Sequence, residues 1–110
     1  MYDTVTAAQQ AGVETVAAGV ATREVDTACR SVIAAADWAA AFSHGTGHGV
    51  GLDIHELPRL AATSDDVLEA AQVVTVEPGV YLPDHGGVRI EDSLVVTEAG
   101  SERLLSLIHI

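Results

Sequence analysis

The chain has 110 residues and a formal charge of −11 at neutral pH, with 48% hydrophobic but only 4% aromatic residues. That length is one domain or part of one, and the excess of carboxylates argues against nucleic acid as a partner. About 65% of the unfolded surface can be buried at this size, so the expected core is built from Ala and Val with few large anchors.

Cys29 is the sole cysteine, which excludes an internal disulfide and suits a reducing cytoplasm. Its alanine-rich helical context reads as a buried core thiol. The amino terminus lacks the basic flank and apolar run of a signal peptide. No apolar stretch reaches the roughly 20 residues of a membrane span. A cytoplasmic location is the expectation.

Residues up to about Val20 read as a helix, with Val5, Ala8, Val16 and Val20 near helical period. Gly12 falls on the same stripe and weakens it by about 1 kcal/mol. After the break at Gly19, Thr22 is the expected N-cap of a second helix. Val25, Cys29, Val32, Ile33 and Ala36 form its apolar face, and Asp37 and Trp38 lead out of it.

From Phe42 the character changes. Glycines at 45, 47, 49 and 51 predict extended or looped backbone. Residues 64–69 read as a turn or a single helical turn. Val73 to Glu77 is an expected strand, stopped by Pro78-Gly79. Val80 to Leu82 is a short strand, and Pro83 to Gly87 a turn. Val88 to Thr97 is expected as one long strand, with a hairpin turn at 98–101 and a return over Glu102 to Leu105. Two helices followed by antiparallel strands make an α+β arrangement. Residues 106–110 read equally as a last strand or as an extraneous scar, and stay outside the fold argument.

Three islands carry the chemistry. The run His44-Gly-Thr-Gly-His48-Gly-Val-Gly-Leu-Asp-Ile-His55-Glu56 sets three histidines among glycines that permit close approach. Val76-Glu77-Pro78-Gly79 and Val88-Arg89-Ile90-Glu91-Asp92 follow. Histidine and carboxylate are the donors a first-row divalent cation takes. Strand alternation sets Thr75 and Glu77 opposite Val74 and Val76, and Arg89 and Glu91 opposite Val88 and Ile90. Asp92 then points away from Glu91 and reads as structural. If the glycine run is extended, His44, Thr46 and His48 share a face. The two histidines would lie ~13 Å apart at ~3.3 Å per residue, too far to hold one ion together.

The three motifs, in this order, closely resemble those of the pita-bread metallopeptidases. Within them the chain is most similar to Xaa-Pro dipeptidases (prolidases) and Xaa-Pro aminopeptidases, from about Tyr2 to Leu105. The resemblance implies a partial pita-bread fold over residues 1–105, two helices packed on a curved antiparallel sheet. It implies that His48, Glu77 and Glu91 are metal ligands, with Glu91 bridging two ions. His44 and His55 would line the substrate pocket, and Arg89 would hold the bridging carboxylate or the substrate. The implied cofactors are two divalent ions, Mn²⁺ foremost, with Co²⁺, Fe²⁺ and Zn²⁺ as alternatives. The implied reaction is hydrolysis of Xaa-Pro bonds in a proline-containing peptide by a water activated between the two ions.

The family's site has five protein ligands, two of them aspartates on a hairpin before the first helix here. Asp3 and Asp26 lie in helical context and do not match that motif. The chain is therefore expected to be a piece of a catalytic domain, inactive alone, with an exposed edge that invites homodimer formation. Ala71-Gln72 stands where relatives usually carry Gly-Met, a minor departure. His85 reads as a solvated loop residue. A zincin helix is excluded by the missing glutamate and the glycines, and a dinucleotide fingerprint by the missing third glycine. The alternative from another class is a non-catalytic fragment that binds a peptide or partner.

Overall fold

Val5, Ala8 and Gly12 succeed one another on the buried face of the first helix, α1 (Tyr2–Thr15). The computed structural model describes residues 2–50, 56–82 and 86–104. Gly12 is where α1 meets both the second helix, α2 (Thr22–Ala35), and the sheet. A Cβ there would collide with Cys29 Sγ and lie 2.9 Å from Val76 Cγ1. Close approach outweighs the helix propensity that this glycine sacrifices. On α2, Val25, Cys29 and Ile33 are fully buried, as their spacing predicts, while Val32 and the capping Ala36 lie at its margin.

Two helix boundaries differ from expectation. α1 stops at Thr15 instead of running to about Val20, because the next residues leave the helix for strand-like partners. Ala18 N–H donates to the Thr97 carbonyl, Gly19 N–H to Leu68 and Leu68 N–H back to Val20. Gly19 makes that turn at φ +88°. Thr22 is not the N-cap. Ala21 holds that position without a side-chain cap, and the buried Thr22 hydroxyl donates to the Asp66 carbonyl. Residues 66–68 thus pair with 20–22, and the expected helical turn at 64–69 is absent.

Among the described residues seven short strands follow: β1 (Gly47–Gly49), β2 (Glu56–Leu60), β3 (Val73–Val76), β4 (Gly79–Leu82), β5 (Gly86–Arg89), β6 (Asp92–Val96) and β7 (Ser101–Arg103). They form a five-stranded sheet in the order β2-β1-β3-β6-β7 and a two-stranded sheet of β4 and β5, antiparallel throughout. The helices cover one face. Val74 and Val76 of β3, Leu94 of β6 and Leu60 of β2 are buried beneath them. Each buried side chain of this kind contributes about 1.5–3 kcal/mol. Gly47 lets β1 lie hard against β3, since a Cβ there would strike the Thr75 carbonyl.

The long strand expected from Val88 to Thr97 is two strands in two sheets. β5 pairs with β4 and β6 with β3, and the chain between them breaks at Ile90 and Glu91. Its partner breaks at the same level, where Pro78 lacks the N–H a ladder needs. Ile90 N–H bridges the gap to the Pro78 carbonyl at 3.3 Å. The register Val76↔Asp92 on one side and Gly79↔Arg89 on the other continues through without offset. Glu77 therefore faces Glu91 across the break. His55, His85 and residues 105–110 lie outside the described residues, so the expectations for them are not addressed by this fold.

Candidate metal centre

His48 sits mid-strand in β1. Its backbone N–H donates to Thr75 Oγ1 at 3.1 Å, and Arg59 of β2 stands opposite it in register. Ring Nδ1 lies 2.8 Å from the Gly49 carbonyl. A carbonyl only accepts, so in the neutral ring Nδ1 carries the hydrogen and Nε2 keeps the lone pair. That Nε2 faces Glu77 Oε2 at 3.6 Å.

Glu77 follows β3 and is anchored by its own N–H, which donates to the Thr46 carbonyl at 2.6 Å. Its side chain leaves the face of Val74 and Val76, as alternation predicts, and lines a cavity of about 360 Å³. Oε2 is buried and accepts no hydrogen bond. A buried carboxylate oxygen in that state is costly unless a proton or cation answers it. The Glu91 carboxyl faces Glu77 in register. Hydrogen bonding toward Glu77, with burial and the Glu77 charge, pushes its pKa above the ordinary 4.5, while Arg89 and His48 pull it down.

One imidazole nitrogen and two facing carboxylates are a donor set that fits a divalent cation, and the orphaned Glu77 oxygen is where one would be answered. The contacts are pairwise, His48 to Glu77 and Glu77 to Glu91. Among the described residues, no three His, Cys, Asp or Glu side chains are gathered into a ready cage.

His44 lines the same cavity but points to other partners. Its Nδ1–H donates to the Gly45 carbonyl, and its Nε2 lies 3.0 Å from the Tyr81 hydroxyl, which donates to it. Phe42 meets the ring edge-on at 5.1 Å, and Tyr81 lies tilted at 5.4 Å. Thr46 does not share a face with the histidines. The backbone before Gly47 is not strand, and the buried Thr46 hydroxyl turns inward to Asp26 Oδ1 at 2.9 Å. Arg89 lines the cavity from β5. Asp92 points away, as expected. Its Oδ2 accepts from Gln9 Nε2 at 2.8 Å and pairs with Arg103 at 3.4 Å, tying α1 to the sheet.

Sequence reading missed three participants. Arg59 lines the cavity between buried Pro58 and Leu60, a placement that strand alternation could have flagged. Tyr81 follows the same rule beside buried Val80. The third is the Asp26–Arg30 pair of α2. Spacing of four residues announces an ion pair, but nothing in the sequence says that Asp26 is buried, with 1% of its side chain exposed. Arg30 Nε and one terminal nitrogen grip both Asp26 oxygens at 2.9 and 3.0 Å. Hydrogen bonding to Asp26 holds the guanidinium more firmly protonated, against the opposing effect of burial.

The model of metallopeptidase family M24 matches residues 1–98. The Xaa-Pro dipeptidase of Pyrococcus horikoshii is 43% identical over 104 residues, covering 94% of this chain and 30% of that protein. The crystal structure of the P. horikoshii prolidase superposes with a TM-score of 0.91 at 44% identity, covering 94% of this chain and 30% of that one. An X-Pro aminopeptidase of Thermotoga maritima gives 0.90 at 37% identity, over 94% and 29% of the two chains. The fold is thus a partial pita-bread fold, and the chain spans about 30% of the length of the relatives it matches.

Proposed function

The chain belongs to metallopeptidase family M24, and we propose that it carries part of the metal-binding and substrate-binding machinery of an Xaa-Pro dipeptidase or aminopeptidase. His48, Glu77 and Glu91 would hold divalent metal, with Mn²⁺ preferred for a mostly oxygen donor set. The observation that carries this reading is the buried Glu77 Oε2, unanswered by any hydrogen bond and 3.6 Å from His48 Nε2. When bound, the ions supply Lewis acidity, acidifying water and polarising the peptide carbonyl.

The chain's own residues do the rest. The Gly49 carbonyl fixes the His48 tautomer so that Nε2 presents its lone pair toward Glu77. Tyr81 and Gly45 hold His44 at the cavity wall, where its Nε2 would exchange the Tyr81 hydroxyl for a substrate N–H beside the scissile bond. Arg89 steadies the Glu91 carboxylate, and Arg59 adds a second guanidinium to the cavity. Two guanidiniums suit the terminal carboxylate of a short peptide, which favours dipeptides over longer substrates. His55 would add a further pocket group.

Three of the five ligands implied by the family motifs are present in these 110 residues. The chain by itself should therefore hold metal weakly and turn over slowly. Titrating the purified chain with Mn²⁺ and assaying Gly-Pro and Ala-Pro hydrolysis tests this directly. Weak binding that Glu77→Gln removes supports the site. Turnover within about tenfold of an intact prolidase, about 1.4 kcal/mol in barrier, would refute the need for the other two ligands. No Mn²⁺ binding at millimolar concentration would refute the site.

A further inference from the structure

The Asp26–Arg30 pair supplies no atom to the donor set, yet its contacts run into the segments that carry it. An exposed helical pair four residues apart is worth only about 0.3–0.5 kcal/mol, and a guanidinium needs no partner beyond one carboxylate. Arg30 does more. Its terminal nitrogens also donate to the Phe42 and His44 carbonyls, both at 3.0 Å, and its guanidinium carbon sits 4.1 Å above the centroid of the Phe42 ring. Residues 42–45 lie outside any strand, because β1 begins only at Gly47. Arg30 supplies the donors that strand pairing does not supply to the Phe42 and His44 carbonyls.

The connection continues to the second metal-side segment. The Thr46 hydroxyl donates to Asp26 Oδ1, Thr46 N–H donates to the Leu60 carbonyl at 2.7 Å, and the Thr46 carbonyl accepts from Glu77 N–H. From Asp26 to the backbone of Glu77 there is one intervening residue. We propose that Asp26 and Arg30 are positioning residues, a clamp on segment 42–46 anchored by buried Asp26, that sets His48 against Glu77 and His44 at the cavity wall. Only the purpose of that setting rests on the metallopeptidase reading, because the clamp itself is independent of metal. Lysine cannot substitute for Arg30, since an ammonium lacks the planar fork that reaches a carboxylate and two carbonyls together.

The test uses the 110-residue chain, ¹⁵N-labelled, and reads amide hydrogen exchange at Thr46 and Glu77. Ala71 and Val96, hydrogen-bonded to Val96 and Gln72 at the far end of the sheet, serve as references. Arg30→Lys and Thr46→Val should speed exchange at the two site amides about tenfold more than at the references. Each should also weaken Mn²⁺ binding about fivefold. Val25→Ala, a cavity where α2 packs on Gly12 of α1, should lower stability, speed all four amides alike and leave the Mn²⁺ affinity of the folded protein unchanged. A residue that merely stabilises the fold would behave like Val25. Uniform exchange in the Arg30 and Thr46 variants overturns the proposal, as does local loosening with parental Mn²⁺ affinity. If the parent chain binds no Mn²⁺, the metal reading fails and the exchange pattern alone decides the clamp. Should Arg30→Lys not fold, Thr46→Val, which removes one hydroxyl, carries the same comparison.

Discussion

Glu77 and Glu91 face each other across the gap between two sheets, at the level where both strands of an otherwise continuous antiparallel pair lose their ladder. Pro78 removes a donor on one side, and the chain at Glu91 passes from β5 to β6 on the other. Like charges set opposite one another destabilise a sheet. Their apposition makes sense as a demand for positive charge between them.

Glu91→Gln should therefore act in opposite directions on two observables. In EDTA its melting temperature should not fall, because the variant removes a carboxyl whose ionisation the fold resists. Its Mn²⁺ affinity should drop about tenfold or more, about 1.4 kcal/mol. Calorimetric titration and thermal melts on the same preparations check both. A variant that is less stable without metal, yet binds metal normally, would make Glu91 a structural residue.

Ala71 turns from a minor departure into a strained one. It adopts φ +74°, the left-handed region that disfavours a Cβ. Its N–H is used, donating to the Val96 carbonyl, so the chain cannot relax the turn without losing that bond. Ala71→Gly should raise stability by about 0.5–1 kcal/mol, the strain relieved less the added freedom of the unfolded chain. Urea unfolding measures it, and a loss of stability would contradict the strain.

How much of this was legible beforehand varies with the physics behind each feature. The buried face of α2 and the inward valines of β3 follow from local periodicity, and they appear where it puts them. The direction of the Glu77 side chain, just past the end of β3, follows from alternation, which is local too. The split of Val88–Thr97 was not legible, since it depends on the partner strand breaking at Pro78, a relation between distant segments. The end of α1 at Thr15 depends likewise on pairing with residues 66–68. The role of Gly12 became visible only with Cys29 and Val76 around it. Asp26 and Arg30 offered an ordinary helical spacing, and only tertiary burial distinguishes them from a solvated pair.

Cys29 gives a pH test of the core. It is fully buried, and that burial, offset in part by neighbouring Thr46 and Gly12, pushes its thiol from 9.0 up to about 12. A raised pKa means the folded state holds its proton longer than the unfolded state does. The corresponding stability is fully present below about pH 9 and is lost as pH rises toward 12. At pH 10 the loss should be about 1.4 kcal/mol. Cys29→Ala should be less stable at neutral pH but lack that part of the alkaline slope. Equal slopes for the two proteins in urea unfolding at pH 7 and pH 10 would show the thiol to be accessible.

The last prediction separates ligand from pocket group among the histidines. His48 presents Nε2 to Glu77, whereas His44 Nε2 is occupied by the Tyr81 hydroxyl. His48→Ala should lower Mn²⁺ affinity about tenfold or more, since the variant removes the imidazole that we propose as a ligand. His44→Ala should leave it within about twofold, because no donor of the metal set is removed. In a catalytically active parent, His44→Ala and His55→Ala should instead cut kcat/KM while metal content stays near that of the parent. Metal stoichiometry measured beside the kinetics on each variant decides the matter. Were His44→Ala to strip the metal and His48→Ala to retain it, the assignment of the two histidines would have to be exchanged, and the hydrogen bond from Tyr81 would then mark a ligand held out of use.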